Sequence, residues 1–244
     1  MLLFRENKNL KNKKLKKITI AIDGFSSTGK STLAKQLAKE LEYVYVDTGA
    51  MYRAVALYAM QNQLIGADFF DKNKLVAALP QIQLEFKFNA DLGFGEMYLN
   101  GENVEKQIRT IEVSNFVSKV AEVSEVRSKL VEQQQGMGKN KAIVMDGRDI
   151  GTVVFPDAEL KIFMTASAET RAQRRFDELQ QKGDTVTYED VLQNVVERDH
   201  IDTHRQDSPL VIADDAIEID NSYLTREEQF AAVLELIDDV VKSV

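Results

Sequence analysis

The chain has 244 residues, a formal net charge of −8, 44% hydrophobic residues and 29% charged residues, a balance that excludes a disordered or fibrous protein. With no cysteine and only two histidines, His200 and His204, disulfides, zinc–thiolate sites and thiol catalysis are excluded and little remains for a histidine metal site. No apolar run approaches the ~20 residues of a membrane helix, so a cytoplasmic protein is expected, with no membrane partner.

Residues 1–17 carry seven basic side chains against Glu6, a net of +6 that leaves −14 on the remainder. This segment reads as a flexible basic tail, and Met1-Leu2-Leu3-Phe4 is too short for the apolar core of a signal peptide. A body at −14 repels nucleic acid, so any polyanion it handles must meet a local cluster of arginines. No nucleic-acid partner is expected. Residues 18–244 read as one domain.

Ile18 to Asp23 is a short buried strand ended by Gly24, and Leu33, Leu37 and Leu41 set the apolar stripe of the helix that follows. Tyr43 to Val46 is a second strand and Ala50 to Gln63 a second helix. Gln81 to Phe88 then alternates polar and apolar, the mark of a half-exposed strand. Glu96 to Leu99 runs into Asn100-Gly101, a type I′ hairpin pair, before Glu102 to Val104. This predicts a small antiparallel insert of about three strands over roughly 80–106. Apolar runs at 142–145, 160–164 and 216–219 complete five strands of a largely parallel sheet with helices on both faces, a three-layer α/β fold.

Gly24-Phe25-Ser26-Ser27-Thr28-Gly29-Lys30-Ser31 fits the phosphate-loop pattern G-x-x-x-x-G-K-[ST], between a buried strand and an amphipathic helix. Its backbone N–H groups, from Ser27 through Thr32, converge on phosphate oxygens at the helix N-terminus. Lys30 reaches the β- and γ-phosphates and the Ser31 hydroxyl takes a Mg²⁺ position. A nucleoside triphosphate with Mg²⁺ is the expected ligand. No N-K-x-D sequence follows a strand, against a GTPase, and the chain is short for an assembly ATPase.

Three further clusters hold the anion-binding chemistry. Asp47 to Arg53 follows the second strand; Arg53 offers a fork for phosphate, while Thr48 offers a hydroxyl or caps the helix. Asp146-Gly147-Arg148-Asp149 ends the third core strand, where charges without partners are costly, so a ligand or an internal ion pair is implied. Arg171, Arg174 and Arg175 share one face of a helix running from a Ser167 cap to a Gly183 stop. Their repulsion is relieved by transferring phosphates or by Glu178 pairing with Arg174. Arg198, Asp202 and Arg205 share a face of the next helix, two forks around a carboxylate suited to a ribose. The two histidines fall off that stripe.

The phosphate loop, the run Asp47 to Arg53, and above all Gly147-Arg148-Asp149-Ile150-Gly151-Thr152-Val153-Val154-Phe155-Pro156-Asp157 resemble the bacterial cytidylate (CMP) kinases, a nucleoside monophosphate kinase family. Glu197-Arg198-Asp199, Arg205 and Ser208-Pro209-Leu210-Val211 continue the resemblance, which spans about 18–240. It implies γ-phosphoryl transfer from Mg·ATP to CMP and dCMP, within pyrimidine nucleotide metabolism. Thr48, Arg53, Arg148, Arg198 and Arg205 would grip the CMP phosphate and ribose, Asp202 the ribose, and Ser118, Arg127 and Asp149 the cytosine; spacing alone singles out neither Ser118 nor Arg127. It implies catalytic roles for Lys30, Arg148, Arg175 and Arg198, with Arg171 and Arg174 on the ATP phosphates. The segment at about 66–118 would be the monophosphate-binding insert and 166–184 a helical lid. Phe25 departs from the proline common in the family, and Ser31 from the glycine of many members. A monomer is expected. The rival readings are a kinase for another acceptor such as UMP, and an ATP-dependent binding module using the basic tail.

Overall fold

The computed structural model describes residues 16–243; the expected basic tail lies, through residue 15, outside the described residues. The chain opens with β1 (Thr19–Gly24), α1 (Lys30–Leu41), β2 (Val44–Asp47) and α2 (Thr48–Gln61). The insert follows as α3 (Lys72–Ala78), β3 (Leu84–Asn89), β4 (Phe94–Leu99) and β5 (Glu102–Asn103), and returns through α4 (Ile111–Ala121) and α5 (Ser124–Met137). The remainder is β6 (Ile143–Asp146), β7 (Leu160–Thr165), α6 (Ala168–Gln181), α7 (Tyr188–His204), β8 (Ile217–Asp220) and α8 (Arg226–Ser243).

The five expected core strands form one sheet of order β2-β6-β1-β7-β8, and every adjacent pair is parallel. β1, β6 and β7 are buried almost throughout, as central strands covered on both faces must be. On one face Leu33 and Leu37 of α1 and Val233 and Ile237 of α8 pack against Ile20, Ile22 and Ile162. On the other, Ala21, Val46 and Met145 meet Ile150 and Val154 of a single π-helical turn, Ile150–Val154. The carboxyl ends of β1, β2 and β6 all open on the same edge, where α/β sheets take their ligands.

The antiparallel insert is present as β3-β4-β5. Asn100 and Gly101 carry φ of 50° and 87° between β4 and β5, the left-handed pair a tight hairpin requires. The insert shares one apolar core with α2, α4 and α5, centred on Met51, Leu75, Met97, Ile108 and Leu130. It is therefore continuous with the domain core and not a tethered module. α6 and α7 form a hairpin with a small apolar cluster of Ala172, Leu179, Val191 and Val195. Ser167 caps α6 and Gly183, at φ 85°, follows its end, as the sequence predicts.

Candidate active site

A cavity of about 790 Å³ runs along the carboxyl edge of the sheet, bounded by the phosphate loop, α2, the insert, the β6 end, α6 and α7. Nine arginines and Lys30 line it against six carboxylates, a local positive excess inside a chain of net −8. That is the arginine cluster a negatively charged body needs to hold a polyanion.

At one end lies the phosphate loop. Ser27 at φ 58° and Gly29 at φ 92° turn the backbone, and the loop from Ser26 to Thr32 lines the cavity. Gly24 stands just behind, opposite Met164 in the β1–β7 register, and does not line the cavity. A Cβ at Gly24 would fall 2.0 Å from the Met164 carbonyl oxygen, so its role is close strand packing. The buried Lys30 Nζ donates to the carbonyl of Phe25 and, at 3.3 Å, to Thr28 Oγ1. Burial and then the charge of Arg148 press the Lys30 pKa well below its ordinary value. Ser31 Oγ donates to Asp146 Oδ2 at 2.8 Å. Burial, and next the neighbouring Asp47, raise the pKa of Asp146.

Asp47 caps α2 by accepting from the Ala50 amide at 2.9 Å. Thr48 therefore does not cap the helix; its hydroxyl donates to the Asp146 carbonyl at 2.8 Å, tying α2 to β6. Asp47 also holds Arg53 at 3.0 Å and Arg109 at 2.7 Å. Burial pushes Arg53 down to about 10. Arg109, which the sequence does not single out, also grips Glu105 at 2.6 Å and so joins the insert to the sheet edge.

The far end is closed by Ser118, Arg127 and Asp149, all buried. Arg127 forms an ion pair with Asp149 and stacks over the Tyr52 ring at 5.5 Å. The Tyr52 hydroxyl and Arg127 Nε are buried without partners among the described residues. Between the two ends, Arg148 Nε meets Asp202 Oδ2 at 2.8 Å. Arg198 donates to Ser114 Oγ at 3.0 Å and makes no ion pair among the described residues. Burial, followed by Arg148, pushes it down to about 9.

The α6 arginines separate. Arg174 donates to the Asn221 carbonyl at 2.8 Å and to its Oδ1 at 3.1 Å; Asn221 in turn donates to the Thr28 carbonyl of the phosphate loop. Arg175 donates to Glu178 at 3.0 Å and to the Arg109 carbonyl at 3.3 Å. Glu178 thus pairs with Arg175 and Lys182, correcting the expected pairing with Arg174. Arg171 is corrected too: it is absent from the cavity wall and buried. Its guanidinium is spent on Asp199 at 2.6 and 3.0 Å and on the Ser26 carbonyl at 3.3 Å. It also lies 5.1 Å from the Phe25 ring, the residue at which the loop departs from the usual proline. Arg205 is the C-cap of α7 and not a residue on its face; its guanidinium turns to the Ser208 carbonyl at 2.7 Å and lies 3.6 Å from Asp202. His200 and His204 are exposed on α7, away from the cavity.

The cytidylate kinase family profile matches residues 20–239. A cytidylate kinase of Flavobacterium johnsoniae is 89% identical over 228 residues, which cover 93% of this chain and 99% of the relative. Cytidylate kinases of Flavobacterium psychrophilum and Bacteroides thetaiotaomicron are 71% and 56% identical, over 93% of this chain and all of their own length. Among solved structures, a gluconokinase of Sinorhizobium meliloti matches at 13% identity and a TM-score of 0.41, covering 92% of this chain and 96% of that one. A profile spanning nearly the whole described chain, laid over a phosphate loop and an arginine-lined cavity, has one meaning: the chain belongs to the cytidylate kinase family.

Proposed function

We propose how this chain divides the work of the cytidylate kinase reaction, phosphoryl transfer from ATP to CMP or dCMP. The observation that carries the reading is Arg198: a half-buried guanidinium whose Nε is shut from solvent, depressed to about 9 by burial and then by Arg148, with the Ser114 hydroxyl as its one partner among the described residues. A cation held that way is stabilised by an anionic ligand between it and Arg148.

The ATP phosphates lie on the loop amides from Ser27 to Thr32, with Lys30 released from the Phe25 carbonyl to the β- and γ-oxygens. Arg174, anchored through Asn221 to the same loop, flanks the donor nucleotide, and Arg175 faces the transferring group. Ser31 and Asp146 offer paired hard oxygen donors, which fit Mg²⁺. No group of three or more acidic or histidine side chains gathers among the described residues, as suits an ion that takes its other ligands from phosphates and water. Held by Ser31 and Asp146, Mg²⁺ would supply neutralisation of the phosphate charge.

Thr48, Arg53, Arg148 and Arg198 hold the CMP phosphate, and Asp202 and Arg205 the sugar. Asp149 accepts from the cytosine amino group, with Arg127 and Ser118 donating to N3 and O2. Uracil offers a carbonyl where cytosine has its amino group, so Asp149 rejects it. The acceptor phosphate is already anionic, so no general base is required; positioning and charge neutralisation do the work. Among the described residues no helix is long and apolar enough to cross a membrane, and the body is acidic. The proposal is completed by a cytoplasmic monomer without a nucleic-acid partner.

The test is ADP release from Mg·ATP with CMP, dCMP, UMP, AMP and GMP offered singly. Turnover led by CMP and dCMP is expected. Activity led by UMP or a purine nucleotide overturns the base-reading residues, and acceptor-independent ADP release overturns the kinase reading.

A further inference from the structure

Asp23 lies outside the cavity wall, at the end of β1, immediately before the phosphate loop. Its carboxylate is buried and both oxygens are used: Oδ1 accepts from the Ile150 amide at 2.8 Å and Oδ2 from the Gly151 amide at 2.7 Å. One residue earlier, the Ile22 carbonyl accepts from the Gly147 amide at 2.9 Å. The end of β1 therefore takes three backbone donors from one five-residue stretch, at its start and at its finish. The residues enclosed between those grips are Arg148 and Asp149.

No cation pairs with Asp23 within ion-pair distance among the described residues, so a buried charge stands here on two amides. Burial drives its carboxyl up to about 6; the two amide bonds pull it down, Asp149 adds to the rise and Lys30 opposes it. A structural role in packing alone would be served by an apolar side chain at lower cost. What the carboxylate alone supplies is two acceptors with a fixed spacing, matched to two consecutive N–H groups.

We infer that Asp23 is a specificity-determining positioning residue: it fixes the Gly147–Gly151 stretch so that Asp149 meets the cytosine amino group and Arg148 the acceptor phosphate. The inference rests on the assignment of Asp149 to the base. Through Asp23 the strand that begins the ATP-binding loop also sets the geometry of the acceptor-reading loop, and both substrates are aligned on one rigid strand end.

The experiment is Asp23→Asn, an isosteric change that keeps one acceptor oxygen and turns an amino group towards an N–H. KM for CMP should rise about tenfold and the preference for CMP over UMP fall about tenfold, each the worth of roughly one misaligned hydrogen bond. KM for ATP should stay within about twofold. A comparable rise in KM for ATP, or a CMP-to-UMP preference equal to wild type, overturns the assignment. Asp149→Asn, measured alongside, separates the two premises: if it too leaves the preference intact, the base-reading role of Asp149 has failed. If Asp149→Asn abolishes the preference and Asp23→Asn does not, only the positioning role has failed. Amide exchange in the unmodified protein decides the matter even if Asp23→Asn does not fold. The Ile150 and Gly151 amides should exchange about 10³-fold slower than an unprotected loop, and exchange at the unprotected rate overturns the proposal.

Discussion

Arg148 and Asp202 meet across the middle of the cavity, Nε to Oδ2 at 2.8 Å, although one follows β6 and the other lies on α7. Arg205 stands 3.6 Å from the other carboxylate oxygen. Arg148 is thus a half-buried cation whose pKa, against the lowering effect of burial, is raised by Asp202. Its Nη1 donates to the Gly147 carbonyl at 3.2 Å, and Nη2, with no hydrogen bond among the described residues, stays available to an anion.

Arg148→Ala should lower kcat on the order of 10²–10³-fold, the usual worth of one charge-stabilising donor in a closed site. ATP affinity, measured by equilibrium binding, should change little, because the hydrogen bonds of Arg148 go to Asp202 and Gly147 and none to the phosphate loop. Equal losses of turnover and ATP affinity would contradict that role.

Lys30→Met should abolish most activity without lowering Tm. The ammonium is buried and its pKa is pressed down; replacing such a charge by an apolar chain of similar volume is often neutral or stabilising. A Tm above wild type in the ligand-free protein, alongside lost ATP binding, is the expected pair of results. A large fall in Tm would show that the Phe25 carbonyl contact holds the loop together.

Breaking the Arg127–Asp149 pair from one side should destabilise the protein. Arg127→Leu leaves Asp149 buried without its cation, a change worth roughly 3–5 kcal/mol for a buried pair. Urea unfolding in the absence of nucleotide should show it as a shift in midpoint with little change in slope. An unchanged midpoint would mean that water reaches the pair.

The Asp23 carboxyl gives stability a distinctive pH dependence. Its folded pKa, about 6, lies above the ordinary value of 3.8, so between those two values the native state binds more protons than the unfolded chain. Stability from this group is present below about pH 3.8 and is lost as pH rises through about 6, amounting to roughly 3 kcal/mol at ~1.4 kcal/mol per pH unit. Asp47 and Asp202, whose pKa values are lowered, act in the opposite sense. The clean readout is therefore the difference between wild type and Asp23→Asn: from pH 4 to pH 7 the wild type should lose stability relative to the variant. A constant difference across that range would refute the shift.

Much of the architecture is legible in the chain because its signals are local. The phosphate loop is a contiguous pattern, and the alternation of Gln81 to Phe88 and the Asn100-Gly101 pair mark the insert without reference to anything distant. The pairing of Glu178 and the capping place of Arg205 fail over one helical turn; the other failures are non-local. Arg171, Arg174 and Arg175 are indistinguishable by helical spacing; only the packing of α6 against α7 turns Arg171 inward onto Asp199 while its neighbours reach the cavity. Arg109 is missed because its partner Asp47 is 62 residues away. Asn221 is an ordinary loop residue until folding brings it under the Thr28 carbonyl. Ser118 and Arg127 emerge from the family resemblance, not from spacing, since a serine and an arginine on a helix carry no sign of which wall they will form.

The inward turn of Arg171 gives α6 a fulcrum. Its guanidinium ties the root of the helix to Asp199 and to Ser26 of the phosphate loop, so a swing of α6 would pivot close to the nucleotide. At 1.5 Å of rise per residue, Arg174 and Arg175 lie only about 5–6 Å along the lever, whereas the far end at Gln181 lies about 15 Å out. A given rotation would then move the Arg174 and Arg175 guanidinium groups roughly one-third as far as the tip. On the proposed roles of Arg174 and Arg175, the short arm would keep those charges in near-constant register with the phosphates while the long arm travelled, which would separate the task of admitting substrate from the task of aligning it.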